Sequence, residues 1–253
     1  MGKKQADKIS HARNTQIAIV VILLLIWEIL PRYGVVHPII LAPFTSVIME
    51  GYLHYFNILR HLGTTLIEIV VAILIAWVIG LTIGLLVGTN KTLRELLVPL
   101  FSSLYAVPIV IIYPVLSVWL GLGLQAKYIF GGLYGCFPVL LNTIAGVQSI
   151  DTQYITVAKS MGASKFQTII QIIFPLSLPG IISGIRLGAA LAVIGVIVGE
   201  MLASSEGIGF LIEANRTIFN SAGVYLAILI SIGIVAAIDR ILFIIEKKTV
   251  YWR

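Results

Sequence analysis

Long apolar runs separated by short polar segments are the feature that most restricts how this chain can fold. Hydrophobic residues make up 59% of its 253 residues and charged residues only 11%, whereas about 25% of the residues in a soluble domain are charged. Several runs are long enough to cross the hydrocarbon core of a bilayer, which is about 30 Å thick. Such runs satisfy their backbone polar groups internally as helices. The sequence therefore predicts an all-α polytopic membrane protein.

Six apolar segments can each form a membrane-spanning helix. They lie at approximately 15–31, 64–88, 97–120, 127–147, 177–202 and 224–245. The first follows a basic tail, as in a signal peptide, but Pro31 and Arg32 stand where a cleavage site would need small residues. We therefore expect an uncleaved helix.

These helices divide the chain into five parts. We expect an N-terminal tail at 1–14, a first transmembrane helix at 15–31, a periplasmic segment at 32–63, a five-helix core at 64–245 and a C-terminal tail at 246–253. The periplasmic segment is predicted to contain a short amphipathic helix at about 45–58. The core is predicted to contain an amphipathic helix pair at 151–175.

The distribution of Lys and Arg predicts which segments face the cytoplasm, because cytoplasmic loops carry an excess of both residues. With six spans and both termini inside, eleven of them fall in cytoplasmic segments and four in outer segments. The net charge of +6, which would suggest nucleic-acid binding in a soluble protein, is explained by this excess. Both termini and the segment 151–175 are therefore predicted to be cytoplasmic.

Glycines and prolines inside the spans predict how the helices pack. Gly80, Gly84 and Gly88 stand four residues apart and form a small-residue face suited to close packing, although glycine is common in membrane helices in any case. The third span contains three prolines, which break backbone hydrogen bonds (Pro99, Pro108 and Pro114). We expect a distorted helix there, at a pore or a bundle interface.

The segment 151–175 has the pattern of two short helices joined at a glycine. Asp151 is a suitable N-cap for the first helix, and Gly162 suits the left-handed conformation just after its end. Ser164 and Gln167 have the spacing of a capping box at the start of the second helix. The prolines at 175 and 179 are predicted to end that helix. Such a protrusion between two spans needs a partner to bury its apolar side.

Motifs for catalysis, nucleotide binding and metal binding are missing from the sequence. The stretch from Gly88, GTNKT, lacks the spacing and the second glycine of a P-loop. The four histidines are scattered over loops, and the single cysteine, Cys136, excludes an intrachain disulfide and a cysteine-based metal cluster. We therefore predict no catalytic residue, no cofactor and no metal in this chain.

Two charged residues lie inside a predicted span, where charge is costly and usually faces a cavity or a partner. Arg186 lies near the inner end of the fifth span and Glu200 near its outer end. The alternatives are that Arg186 reaches the cytoplasmic interface and that Glu200 caps the following loop. Glu68 and the Asp239–Arg240 pair lie near span ends, and we interpret them as interfacial.

The helix pair also has a distinctive spacing, in which nine residues follow Gly162 and Ile172-Ile-Phe-Pro175 comes next. This resembles the EAA loop of permease subunits of binding-protein-dependent ABC importers, whose motif is E-A-A, three residues, Gly, nine residues and I-x-L-P. Ala158 takes the third motif position, but Thr156 replaces the glutamate. Further stretches, including AVPIVIIYPVLSVWLGLG and GIRLGAALAVIGVIVGEML, look like the nitrate/sulfonate/taurine branch. The resemblance covers roughly residues 38–245.

The resemblance implies a type I ABC importer permease (MetI-like) architecture in the bacterial inner membrane, with two copies of the chain as a homodimer. It implies that ATP and Mg bind to a separate cytoplasmic ATPase dimer, and that a periplasmic or lipid-anchored binding protein delivers a small solute, an anion such as a sulfonate, taurine or nitrate. The implied ATPase contacts are Tyr154, Thr156, Val157, Ala158, Met161, Gly162, Ala163, Ser164 and Phe166. The candidates for the translocation path are Pro108, Pro114, Arg186 and Glu200.

Two other functions are weighed against this one. An ion-coupled secondary transporter would need carboxylates near the middle of the bilayer and often has inverted repeats, but Glu200 stands nearly alone in its span. A membrane-bound helix-turn-helix protein could use the helix pair, but Lys159 and Lys165 are too few for phosphate binding. We therefore expect membrane lipid, ATPase and binding-protein contacts and no nucleic acid.

Overall fold

The computed structural model describes residues 2–249, with side chains for residues 14–247. Within these residues the chain is helical and has no strand. The helices are α1 (Gly2–Arg32), α2 (Phe44–Leu53), α3 (Tyr55–Thr89), α4 (Lys91–Ala106), α5 (Tyr113–Leu120), α6 (Leu124–Gln148), α7 (Thr152–Ser160), α8 (Lys165–Thr168), α9 (Phe174–Ala203), α10 (Ile208–Thr217) and α11 (Ser221–Thr249). A 3₁₀ turn (Ile109–Ile112) precedes α5, and a π-helical turn (Ile169–Ile173) precedes α9.

The number of membrane-spanning helices agrees with the prediction. Five helical segments are long and apolar enough to cross a bilayer, at Asn14–Arg32, Tyr55–Thr89, Leu124–Gln148, Lys165–Ala203 and Ser221–Lys247. The bent pair Lys91–Ala106 and Ile109–Leu120 gives a sixth span where its two helices count as one. The predicted all-α polytopic membrane fold is therefore confirmed, with five to six candidate spans.

The chain forms two compact units. The first consists of Met1–Leu59 with Leu211–Ile230. In it, the indole N–H of Trp27 donates to the carbonyl of Ala42 at 2.9 Å, and the Trp27 ring packs edge-on against Phe44 and Tyr225, with centroids 5.4 and 5.5 Å away. These contacts fix α1 on α2 and on the start of α11.

The second unit consists of Arg60–Phe210 with Ser231–Arg253 and contains the closest helix packing. The backbones of α6 and α9 touch, because a β-carbon at Gly195 would lie 2.7 Å from Cα of Gly131. The predicted small-residue face of α3 also packs on α6. A β-carbon at Gly80 or Gly84 would lie 2.6 or 2.7 Å from Cβ of Val139 or Thr143, respectively. That prediction is confirmed.

Two predicted helix boundaries near the N-terminal side are wrong. The amphipathic helix expected at about 45–58 ends at Leu53, because the backbone of His54 leaves the helical conformation with φ −114° and ψ 20°. The next helix then begins at Tyr55, nine residues before the expected position of 64. It runs through Gly63 because an interior glycine costs a helix only about 1 kcal/mol.

One prediction about proline is confirmed and another is wrong. The predicted third span is distorted, as expected: it is a pair of helices bent by 85°, because Val107, which precedes Pro108, adopts the extended conformation with ψ 132° and ends α4. The prediction that the prolines at 175 and 179 end a helix is wrong, because the chain stays helical from Lys165 to Ala203. The π-helical turn places Pro175 in the first turn of α9, where the missing N–H costs little, and Pro179 lies inside the helix.

Candidate functional site

The predicted corner between the two short helices of the segment 151–175 is present. The carboxylate of Asp151 accepts a hydrogen bond from the backbone N–H of Gln153 at 2.9 Å, which caps α7. Gly162 follows the helix with φ +80°, and nothing lies within 4 Å of the position of a β-carbon there. The glycine is therefore required by its backbone conformation and not by a close neighbour.

The capping box at the start of α8 is also confirmed. The Ser164 hydroxyl accepts from the N–H of Gln167 at 3.2 Å, and the Gln167 side chain accepts from the N–H of Ser164 at 2.8 Å. Two N–H groups that a helix start leaves without partners are thereby satisfied. The corner is held by local contacts and does not depend on another chain for its shape.

Apolar side chains project from this corner into solvent. The exposed fractions are 57% for Tyr154 and Val157, 82% for Met161 and 71% for Phe166. Ala158, in contrast, is buried and supports the corner from beneath. Thr156, at the glutamate position of the motif, donates its hydroxyl to the carbonyl of Thr152 at 3.0 Å within its own helix.

A buried ion pair lies in the second unit, at a place where surface residues were expected. Nζ of Lys127 on α6 lies 2.5 Å from a carboxylate oxygen of Glu68 on α3, and the two side chains are 3% and 1% exposed. The interpretation of Glu68 as interfacial is therefore wrong, and Lys127, the first residue of the fourth predicted span, is buried as well. Burial of both charges is tolerated because they are paired.

Glu200 lies in the same buried region and is 1% exposed. One of its carboxylate oxygens accepts from the Thr65 hydroxyl and the other from the N–H of Gly209, both at 2.7 Å. The second contact agrees with the alternative in which Glu200 caps the loop that follows its span. Its role in a translocation path stays a prediction.

The same side chains hold the segment that follows α9. Thr65 accepts from the N–H of Ile208 at 2.8 Å, and Nδ1 of His61 accepts from the N–H of Gly207 at 3.0 Å. Lys127 donates to the hydroxyl of Ser204 at 2.9 Å. We call this set the buried polar cluster, and its members are His61, Thr65, Glu68, Lys127, Glu200 and Ser204.

Sequence reasoning missed most of this cluster, although one signal was present. His61, Thr65 and Glu68 stand four and three residues apart, so they share one face of α3. A polar stripe on an otherwise apolar membrane helix indicates a buried polar contact. The partners on α6 and α9 could not be assigned from spacing, because they lie in other helices.

Arg186 forms a separate set of contacts at the other end of α9. It pairs with Asp239 at 2.7 Å and Glu246 at 2.8 Å, both on α11, and its guanidinium carbon lies 5.4 Å from the centre of the Phe243 ring. At 1.5 Å per residue, Arg186 lies about 21 Å along α9 from Glu200. Arg186 and Glu200 are therefore not brought together.

The two prolines predicted to line the path lie at the bend between α4 and α5. Pro108 precedes the 3₁₀ turn, and Pro114 lies in the first turn of α5. Both are exposed. Their place at an 85° bend agrees with the expectation of a distorted span, and their role in a path stays a prediction.

A polytopic helical bundle with a rigid two-helix corner between two spans defines a membrane transport subunit. The chain matches, over residues 78–251, the family described as "Binding-protein-dependent transport system inner membrane component". This match covers more than half of the chain, and the chain belongs to that family. It is therefore a multi-pass protein of the cytoplasmic membrane and a non-catalytic component of an ABC transporter.

Individual relatives agree with this assignment. The riboflavin transport system permease protein RibX of Chloroflexus aurantiacus is 31% identical over 63% of this chain and 60% of that protein. The taurine transport system permease protein TauC of Escherichia coli is 27% identical over 94% of this chain and 86% of that protein. Permeases named for aliphatic sulfonates and nitrate are also similar, and the chain lies in the nitrate/sulfonate/taurine branch.

A solved structure shows the same fold. Inward-facing conformations of the MetNI methionine ABC transporter contain a chain that superimposes with a TM-score of 0.69 at 19% identity, over 78% of this chain and 97% of that chain. The expected MetI-like permease architecture is therefore confirmed.

Proposed function

We propose that this chain is the permease subunit of an ATP-driven importer, that two copies form the path for a small solute, and that the segment 151–175 couples them to a separate ATPase dimer. On this proposal both termini are cytoplasmic and the segment 32–63 is periplasmic. ATP and Mg bind to the ATPase, and a periplasmic or lipid-anchored binding protein delivers the solute. The family match supports the transporter class.

The exposed apolar surface of the corner is the observation that carries the coupling role. Met161 and Phe166 flank Gly162 and are 82% and 71% exposed. Full burial of an apolar side chain of this size contributes about 1.5–3 kcal/mol, so two of them in a partner's groove would favour docking strongly. Because α7 and α8 are each capped at their first turn, the corner can present this surface without first becoming ordered.

An ion-coupled transporter is not favoured by the contacts of Glu200. The carboxylate that such a mechanism would use accepts two hydrogen bonds and is buried against Thr65 and Gly209. Asp239 and Glu246 are paired with Arg186 on α9, and Glu68 is paired with Lys127.

Aspartate at the corner is expected to release the ATPase subunit. In Met161→Asp and Phe166→Asp, the new charge would have to be buried at the interface, which costs several kcal/mol, so less than a tenth of the wild-type amount of ATPase should co-purify. Thr92→Asp is the control, because it introduces the same charge at an exposed position in the first turn of α4, in another segment that this proposal places on the cytoplasmic side. Equal recovery of ATPase with all three variants would reject the proposed coupling surface.

The proposed substrate is a small anion such as a sulfonate, taurine or nitrate, by analogy with the relatives named for them. We expect the cognate binding protein to bind one of these anions, and the loaded protein to stimulate ATP hydrolysis by the reconstituted complex. Riboflavin serves as the uncharged comparison, because RibX is named for it. Stimulation by riboflavin and by none of the anions would overturn the anion proposal while leaving the importer class intact.

A further inference from the structure

The charges of the buried polar cluster do not balance if every group is ionised. Glu68 and Glu200 supply two negative charges and Lys127 one positive charge, and all three residues are at most 2% exposed. The next cation along α3, Arg60, is already paired at 2.6 Å with Glu206 at the surface. A net buried charge of −1 is costly at such low exposure.

The nearby neutral groups do not remove this imbalance. Nδ1 of His61 accepts a hydrogen bond from the N–H of Gly207, so this nitrogen carries no proton and the ring is neutral. The Tyr113 hydroxyl, on α5, is buried, makes no hydrogen bond among the described residues and carries no positive charge. The cluster therefore contains no second cation.

Hydrogen bonding around Glu68 is also incomplete. Its carboxyl group interacts with the ammonium group of Lys127 and with the carboxyl group of Glu200. Apart from the Lys127 ion pair, neither of its oxygens has a hydrogen-bond partner among the described residues. Both oxygens of Glu200, in contrast, accept from Thr65 and Gly209. Two facing carboxylates are acceptors only, and a proton on either one would make it a donor.

We infer that Glu68 and Glu200 share one bound proton, which makes the cluster with Lys127 electrically neutral and holds the segment from Ser204 to Gly209 against α3, α6 and α9. Charge balance gives one proton, and the burial of the three charged groups and the unpartnered oxygens of Glu68 both favour it. This inference does not rest on the proposed transport function.

The shared proton predicts a specific infrared signature in the purified full chain. Wild-type protein at pH 7 should show a carbonyl band of a protonated carboxylic acid, because the carboxylates at the surface are ionised. The band should be lost in both Glu68→Gln and Glu200→Gln, since either variant leaves one carboxylate for one lysine and needs no proton. Glu95→Gln, at a side chain that is 66% exposed, should keep it.

The pH dependence of stability gives a second, independent measurement. Folding takes up a proton if the folded cluster holds one while the unfolded carboxyls, which titrate near 4.3, are ionised. The folding equilibrium of the wild type should then fall about tenfold for each pH unit above about 5, relative to Glu68→Gln. Absence of the acid band from the wild type, its survival in either cluster variant, or parallel pH profiles would each overturn the inference.

Discussion

Gly135→Leu is expected to prevent the chain from folding, and Gly135→Ala to lower its stability by about 1–3 kcal/mol, the range for overpacking a core. Gly135 lies where α6 touches both α9 and α3. A β-carbon there would lie 3.0 Å from Cβ of Ala192 and of Ala76, and still closer to the carbonyl oxygen of Gly188. Because backbone lies on one side, no rotamer change can make room.

The matched control for this prediction is Gly233→Ala. Gly233 lies in α11, and nothing lies within 4 Å of the position of its β-carbon. Alanine is a better helix former than glycine by up to about 1 kcal/mol, so this variant should be as stable as the wild type or more stable. The measurement is the thermal unfolding midpoint of detergent-purified protein. Equal midpoints for Gly135→Ala and Gly233→Ala would contradict the packing described for α6 and α9.

Local features of this fold could be predicted from the sequence because the physics that fixes them is local. The cap at Asp151, the left-handed turn at Gly162 and the capping box at Ser164 each depend on residues no more than three positions apart. The small-residue face of α3 depends on helical periodicity alone. Such features need no knowledge of which helices become neighbours.

The remaining features depend on contacts between distant parts of the chain. Lys127 is 59 positions from Glu68 in the sequence, and both residues lie close to the ends predicted for their spans, so a solvated position was the natural interpretation. The ion pair buries them only because α3 and α6 pack together. The partners of Arg186, 53 and 60 positions away, were hidden for the same reason.

Helix continuity through proline is a third case, in which local reasoning pointed the wrong way. A proline in a soluble helix usually ends it, and Pro175 was expected to do so. The π-helical turn Ile169–Ile173 changes the hydrogen-bond pattern just before Pro175, so that the missing N–H of this proline falls in the first turn of α9. The apolar stretch that follows gains more from spanning the bilayer as a helix than it loses at two prolines. Because backbone polar groups inside a membrane must pair within the protein, the helix continues here despite the tendency of proline to end it.

Lys127→Met is expected to cost about 3–5 kcal/mol, because removal of one partner leaves an uncompensated buried charge. Folded proteins have only about 5–15 kcal/mol of stability in total, so this loss is a large fraction of it and the unfolding midpoint should fall markedly. Lys91→Met is the control, since the pair of Lys91 with Glu95 is exposed and its atoms are 3.9 Å apart. Exposed pairs of this kind contribute about 0–1 kcal/mol, and this variant should behave like the wild type.

Further substitutions separate the effect of charge from the effect of side-chain volume. Lys127→Met combined with Glu68→Gln and Glu200→Gln removes all three charges of the buried polar cluster, and replacement of buried charges by neutral groups is often tolerated. The triple variant should therefore regain much of the lost stability, as measured by the unfolding midpoint and by the monodisperse fraction in size-exclusion chromatography. Lys127→Met alone should also be least damaging at low pH, where both carboxyls can be protonated. A deficit that is independent of pH and is not relieved by the two glutamine substitutions would assign the loss to packing around Lys127 and not to its charge.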